Sequence, residues 1–186
     1  AIWLDVPATR GRHAREGTSW IREAEASAIV RQLKEWMNSD AGKDLSYGVI
    51  SFYKAQAERI KKHLGNVTAS KQQLHIGTVD SFQGMEFDVV FLSVVRTMPD
   101  GEFIKAIKSK AKKNGEPWIK EKEASISFGH LCLYNRLNVS MSRQKKLLVV
   151  AGDSGLVENH LAAKFLPGLV DFHQLCKTEG SVLKCR

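Results

Sequence analysis

The sequence predicts a three-layer α/β domain built on a central, mostly parallel sheet, and three observations carry that expectation. Short apolar runs rich in β-branched residues alternate with amphipathic stretches of helical length. Two of those runs, VVFLSVV at Val89–Val95 and LLVVA at Leu147–Ala151, are apolar on nearly every residue, as strands covered on both faces are. The order βαβαβ…αβ is that of an α/β domain with a parallel sheet.

Taken along the chain, the first expected strand is Ile2–Val6. A helix follows over Glu23–Met37, because Ala26, Ile29, Val30, Leu33 and Met37 recur at three- and four-residue spacing. Arg22, Arg31, Lys34 and Glu35 fall mostly off that face. Ser19 is its expected N-cap, with a carboxylate in the next turn. Tyr47–Ser51 reads as a strand. Lys54–Leu64 reads as a helix that stops at Gly65-Asn66. Leu74–Val79 and Val89–Val95 are the next strands. A helix over Leu137–Arg143 leads into the strand Leu147–Ala151, and no internal repeat is visible.

The 186 residues amount to about one domain. That length closes a core without staples, which only chains below ~40 residues usually need. Lys plus Arg number 28 against 20 Asp plus Glu, leaving +8. Such an excess favours a polyanionic partner, most commonly nucleic acid; the alternative is a basic protein with no such partner. No apolar run approaches the ~20 residues of a membrane span, so no membrane association is expected. The opening AIWLDVPATRGR lacks a signal-peptide pattern. It also lacks an initiator Met, as expected of a fragment or a processed chain. Cys132, Cys176 and Cys185 are too few and scattered for a zinc cluster or a disulfide framework. No metal site is therefore expected, and a reducing, intracellular compartment, the cytoplasm, is the default.

One segment breaks the rhythm. Between Phe103 and Gly115 stand Lys105, Lys108, Lys110, Lys112 and Lys113 with no carboxylate. The wider stretch at about 99–125 carries Gly101, Gly115 and Pro117 and separates two well-formed elements. An insertion of this length is either functional or mobile. It is read either as a second contact to nucleic-acid phosphates, with Phe103 and Trp118 available for packing or stacking, or as a solvated hairpin or loop.

Two stretches carry residues suited to chemistry. In GTVDSFQGMEFDVVFLSVVRT (Gly77–Thr97) a strand ends in a glycine-containing turn, then a carboxylate, then a buried strand with Arg96 beyond it. Ligands of parallel α/β sheets bind at the carboxyl ends of strands. Gly84 lets backbone approach an anion, and Glu86 suits sugar hydroxyls; taken alone, QGME (Gln83–Glu86) is more often a tight structural turn. In YNRLNVSMSRQKKLLVVAGD (Tyr134–Asp153), Arg136 and Arg143 stand seven apart, on one face if both are helical. Each could reach a phosphate bidentately, or be solvated or salt-bridged.

VDSFQGMEFD at Val79–Asp88 and NRLNVSMSRQ at Asn135–Gln144 resemble motifs V and VI of superfamily 1 helicases. The branch they resemble is the 5′→3′ one that includes the helicase of nonsense-mediated mRNA decay. Its usual forms are VD-S/A-FQG-x-E and RLNV-A-L-T/S-R-A. Ser140 and Gln144 stand here for alanines and Met141 for a leucine. Upstream, SYGVISFYKAQ (Ser46–Gln56) is similar to IGVITPY-x-x-Q, with Phe52 in place of proline. SWIREAEA (Ser19–Ala26) is similar to S-x-x-N-x-x-EA, with Arg22 in the asparagine position. The resemblance extends to about Leu156.

The resemblance implies the second RecA-like domain of a helicase, a P-loop NTPase fold. It implies Arg143 as the arginine finger, Gly84 as backbone facing the γ-phosphate, Glu86 as the ribose contact, and Arg136 as a further nucleotide-side arginine. Gln83 either couples nucleotide to nucleic acid or is a structural amide. Ser51 and Thr78 match positions that hold the nucleic-acid backbone. Arg96 matches an arginine that makes either a phosphate contact or an internal salt bridge. ATP and Mg²⁺ are implied, yet the chain has no GxxxxGK[ST] and no strand-end Asp-Glu pair. By the resemblance those sit on an N-terminal RecA-like domain absent from this chain, and ATP binds between the two domains. A single strand of DNA or RNA, held mainly by its phosphates, is the implied track. The rivals are a binding module that keeps the fold without ATPase coupling, and a self-contained P-loop NTPase. Intact Gly84, Glu86 and Arg143 speak against the first, and the missing phosphate loop against the second.

Overall fold

In the computed structural model, which describes residues 1–65 and 73–185, the elements follow in this order. They are β1 (Ile2–Asp5), β2 (Ala14–Glu16), β3 (Ser19–Ile21), α1 (Glu23–Met37), β4 (Tyr47–Ser51), α2 (Lys54–Leu64), β5 (Leu74–Thr78) and β6 (Phe87–Ser93). Then come α3 (Gly101–Lys113), α4 (Lys120–Phe128), α5 (Tyr134–Ser140) and β7 (Gln144–Gly152). The chain continues through α6 (Ser154–Val157), α7 (Ala162–Phe165), α8 (Pro167–Thr178) and β8 (Ser181–Lys184). Six strands form one sheet in the order β5-β4-β6-β7-β1-β8, with every pairing parallel. No described helix is long and apolar enough to cross a membrane.

The near-continuous apolar strands are explained by two cores. Val89, Phe91, Val149 and Ala151 point to α1 and α2, where Ile29, Leu33, Ala57 and Ile60 meet them. Val90, Leu92, Leu148 and Val150 point the other way, onto Phe128, Leu137, Leu156 and Leu169 of the later helices. Helices on both faces of a parallel sheet make the three-layer fold that the sequence predicts.

Several elements differ from their expected bounds, each for a tertiary reason. Ser19 does not cap α1. It lies in β3, and its Oγ accepts the Ala55 backbone N–H (3.3 Å), capping the first turn of α2 instead. α1 starts at Glu23 because Arg22 is extended and its N–H donates to Gln56 Oε1 (2.9 Å). The helix expected over Leu137–Arg143 is α5, starting at Tyr134 and ending at Ser140. It stops there because the Arg143 carbonyl accepts the Phe87 N–H (3.0 Å) as β6 and β7 begin to pair. Val89–Val95 is a strand from Phe87 to Ser93, and Leu147–Ala151 extends to Gln144–Gly152. α2 ends at Leu64 with Gly65 as its C-cap, as expected; Asn66 lies outside the described residues. The insertion is neither hairpin nor loop but the helices α3 and α4. β8 has no counterpart in the sequence reading. It docks parallel to β1 where Gly180 lets the chain pass the Ala1 carbonyl, a place a Cβ would fill at 2.3 Å.

A buried polar network ties the carboxyl-terminal edge of the sheet to α1 and α2. Glu25, wholly buried, accepts from Ser93 Oγ (2.6 Å), the Val95 N–H (2.9 Å) and Arg22 Nη1 (3.3 Å). Burial pushes its carboxyl above the ordinary range, while Arg22 and the hydrogen bonds draw it back. Arg22, also wholly buried, donates to the carbonyls of Val6, Pro7 (3.0 Å) and Gly11 (3.0 Å). Gln56 joins in, donating to Ser93 Oγ (3.2 Å) and the Arg22 carbonyl (3.3 Å). Just beyond β6, Val95 sits at φ +66°, and the Arg96 N–H folds back onto the Val94 carbonyl (2.7 Å). For a β-branched residue that conformation costs about 1–3 kcal/mol, and the Glu25 hydrogen bond holds it.

The hairpin β2–β3 is docked on this edge through His13. Its Nδ1 accepts the Thr97 backbone N–H (3.1 Å) and lies 2.9 Å from the Thr97 hydroxyl, so it carries no proton. Burial, then Arg96, Arg22 and Arg12, lowers the His13 pKa to about 4.

Glu25→Ala leaves Arg22 as a buried, uncompensated charge. It should cost about 3–5 kcal/mol in urea unfolding; a loss below about 1 kcal/mol would show that the edge does not rest on this network. His13 binds a proton more weakly folded than unfolded, so its stabilisation is present above pH ~6.5 and fades as pH falls toward ~4. Denaturation midpoints measured across that range should fall with pH, less steeply in His13→Gln; identical slopes would exclude His13 as a source.

Candidate functional site

After β5 a short 3-10 turn, Val79–Phe82, crosses one face of the sheet. It is anchored by Phe82, buried with its ring 4.7 Å from His75 and 5.5 Å from Phe87. This brings Gln83, Gly84 and Glu86 to the point where β6 begins. All three are exposed. Gly84 has φ +76°, and an added Cβ would meet nothing within 4 Å, so glycine is needed for the backbone turn and not for internal room. The turn therefore lies at the amino-terminal edge of the sheet, not at the carboxyl ends expected from the general rule for parallel sheets. The displacement has a simple cause: the crossing turn takes the chain back along the length of β5 before β6 starts.

Arg143 stands immediately before β7 on the same edge, joined to the start of β6 by the Phe87 N–H bond to its carbonyl. Its half-buried side chain donates from Nε to the Val139 carbonyl (3.1 Å) and from Nη2 to Ser142 Oγ (3.0 Å). Arg136 is on α5 and Arg143 is not, so the two do not share a helix face. Arg136 pairs with Asp80 and holds α5 against the crossing turn. Asp88 pins the same edge. Ser46, through its N–H (2.9 Å) and Oγ (2.8 Å), and Lys146 (3.0 Å) hold its carboxyl down at about 2.

The carboxyl-terminal edge receives the other candidates. Thr78 is partly exposed at the end of β5. Ser51 ends β4 only 1% exposed, its Oγ accepting the Tyr53 N–H (3.2 Å). Arg96 is turned inward, 5% exposed, and donates to the carbonyls of Ser127 (3.3 Å) and Ile126 on α4. Among the described residues it meets no carboxylate. Its partners are backbone oxygens and the Trp20 ring, 4.6 Å from its guanidinium carbon.

Of the insert lysines, Lys105, Lys110, Lys112 and Lys113 are exposed on α3. Lys108 is half-buried and committed: it pairs with Glu123 (2.8 Å) and lies 5.2 Å from the Trp118 ring centre. Trp118 donates to that same Glu123 (3.0 Å). These contacts lock α3 to α4 and remove Trp118 from the exposed aromatics.

Between the hairpin and the insert helices lies a cleft of about 460 Å³ that sequence reasoning missed. Trp20 in its hairpin wall meets Arg15 (4.7 Å) as well as Arg96, because the register pairs Arg15 with Trp20 across the strands. His130 stacks on Tyr53, with ring centres 5.1 Å apart and planes at 14°. Only the hairpin register could have signalled this grouping, and a three-residue strand pair has too few alternations to show it. Among the described residues, no group of three or more His, Cys, Asp or Glu could hold a metal ion.

The family model described as AAA domain matches residues 1–155. RNA helicase Mov10l1 of Mus musculus is 32% identical over 150 residues, covering 77% of this chain and 11% of the relative. DNA polymerase alpha-associated DNA helicase A of Saccharomyces cerevisiae is 34% identical over 156 residues, covering 82% of this chain and 19% of that protein. The probable helicase senataxin of Homo sapiens is 29% identical over 145 residues, covering 76% of this chain and 4% of that protein. The chain thus spans less than a fifth of the length of each of these relatives. The family model spans most of the chain, and two of these relatives exceed 30% identity over more than three quarters of it, so the chain belongs to the AAA-domain family, among the superfamily 1 helicases.

Proposed function

We propose that this chain forms one wall of an interdomain ATP site in a motor that moves along a single nucleic-acid strand. The observation that carries the reading is the Phe87–Arg143 hydrogen bond, which sets the Gln83–Glu86 turn beside Arg143 on one exposed edge. Two segments far apart in the chain thereby offer an anion-tolerant backbone, a carboxylate and a guanidinium to the same neighbour.

In this reading the Arg143 guanidinium leaves the Val139 carbonyl of α5 and stabilises negative charge on the phosphoryl group being transferred. The Gly84 backbone faces the phosphate, and Glu86 accepts from the ribose hydroxyls. Gln83 links that turn to the crossing segment. Arg136, held by Asp80, positions α5 and through it Arg143. Magnesium would be bound with ATP by the partnering first RecA-like domain; the described residues here offer it no cluster of ligands. The strand lies across the opposite edge, past Thr78 and the exposed insert lysines. Ser51 contributes through the end of β4 and not through its buried hydroxyl.

In the full-length protein, Arg143→Ala should lower kcat for ATP by about 10³ with a much smaller change in KM; a variant within tenfold of wild type would remove the assignment. The 186-residue chain by itself should show no ATP turnover. Replacing Lys105, Lys110, Lys112 and Lys113 with Gln should lower the slope of log K against log salt by up to about 3 for a single strand. Lys108→Gln, which disturbs an internal pair, should leave that slope alone. Equal slopes for wild type and the fourfold variant would take the insert off the strand's path.

A further inference from the structure

The cleft between the hairpin β2–β3 and the helices α3 and α4 is built from planar groups and positive charge. Its walls carry Arg15, Trp20, Arg96, Phe103 and His130, and no carboxylate is among its lining residues. Arg15 is exposed beside the Trp20 ring, and Phe103 projects from α3 with 53% of its surface exposed. The cleft's volume, about 460 Å³, is in the range of small-ligand sites. Its position is informative too. Tyr53 follows β4 by two residues and Arg96 follows β6 by three, so the cleft opens at the carboxyl-terminal edge.

We propose that this cleft is a stacking subsite for one unpaired nucleobase of the strand, with Phe103 supplying a ring face. The inference rests on the strand-binding reading above and adds a contact to a base, where the lysines address only phosphates. An aromatic face and a guanidinium accept any base by its π surface, so the subsite is indifferent to sequence. The positive charge and the lack of any carboxylate suit a polyanion and disfavour an acid-free apolar peptide, which would gain nothing from Arg15. The insert then has a definite purpose: α3 carries the ring to the edge, and the Lys108–Glu123–Trp118 cluster keeps α3 braced on α4.

The test compares two labelled oligonucleotides of about twelve residues, oligo-dT and an abasic strand with the same phosphates, bound to this chain at low salt by fluorescence anisotropy. Phe103→Ala should weaken oligo-dT by about fivefold or more and the abasic strand by less than twofold. Phe103→Tyr, which keeps the ring, should restore wild-type binding of oligo-dT. Equal weakening of both strands, or no weakening of either, overturns the base subsite while leaving strand binding intact; the second result would hand the cleft to a protein ligand. If wild type binds neither oligonucleotide, the strand-binding reading itself falls and the subsite with it.

Discussion

Glu25, a carboxylate without solvent, holds the carboxyl-terminal edge of the sheet in one conformation. Parallel strands end in diverging connections, and something must fix those connections where the ladder stops. Here one carboxylate collects β6 through Ser93 and Val95, and Arg22 carries the link on to the carbonyls after β1. Gln56 adds α2. A buried ion pair of this kind contributes little net stability against an apolar replacement, but losing one partner is costly. Its consequence is geometric. Val95 stays at a positive φ because its N–H is held, and the next residue, Arg96, is thereby aimed inward. Arg96 then receives α4 by two carbonyls and Trp20 by its ring face, so the insert and the hairpin both lean on that conformation, the hairpin also through His13 and Ser19.

That dependence explains which parts of the fold were legible in sequence. Strands such as Val89–Val95 announce themselves because both faces are buried and nearly every side chain is apolar, a local record of a layered environment. α1 and α2 show their stripes for the same reason. Ser19 misleads because a capping hydroxyl is recognised by its chemistry, whereas the helix it serves is chosen by tertiary approach; it caps α2 from a hairpin. Arg22 falls off the apolar stripe of α1 in sequence, and only the carbonyls of Val6, Pro7 and Gly11 reveal it as an internal clamp. Leu137–Arg143 has helical spacing throughout, but pairing with β6 claims the Arg143 carbonyl first.

The candidate site divides in the same way. Gln83, Gly84, Glu86 and Arg143 were visible through their order along the chain, and the fold brings them to one edge, though not the edge that a rule about carboxyl ends selects. Arg96 and Ser51 were visible as residue types and positions, yet burial assigns their side chains to internal bonds. Lys108 shows the limit of counting charge: five lysines look alike in sequence, and one is spent on Glu123 while four remain exposed. The cleft of Trp20 and Phe103 was illegible because it joins a hairpin of three-residue strands to an insertion across the molecule.

The strand β6 connects these two edges physically. It begins at Phe87, bonded to Arg143, and ends at Ser93, bonded to Glu25, with β4 and β7 beside it along its length. A strand packed in the centre of a close-packed sheet does not stretch or slide by fractions of a residue, since any shift would break both ladders and both cores. A push at the amino-terminal edge is therefore delivered to the carboxyl-terminal edge as displacement of the whole body. Under the proposed function this favours rigid-body rotation of the domain over a relay of side chains. In that reading the nucleotide edge and the strand edge would move as one, because a single buried strand, Phe87–Ser93, runs between the two ends of the sheet.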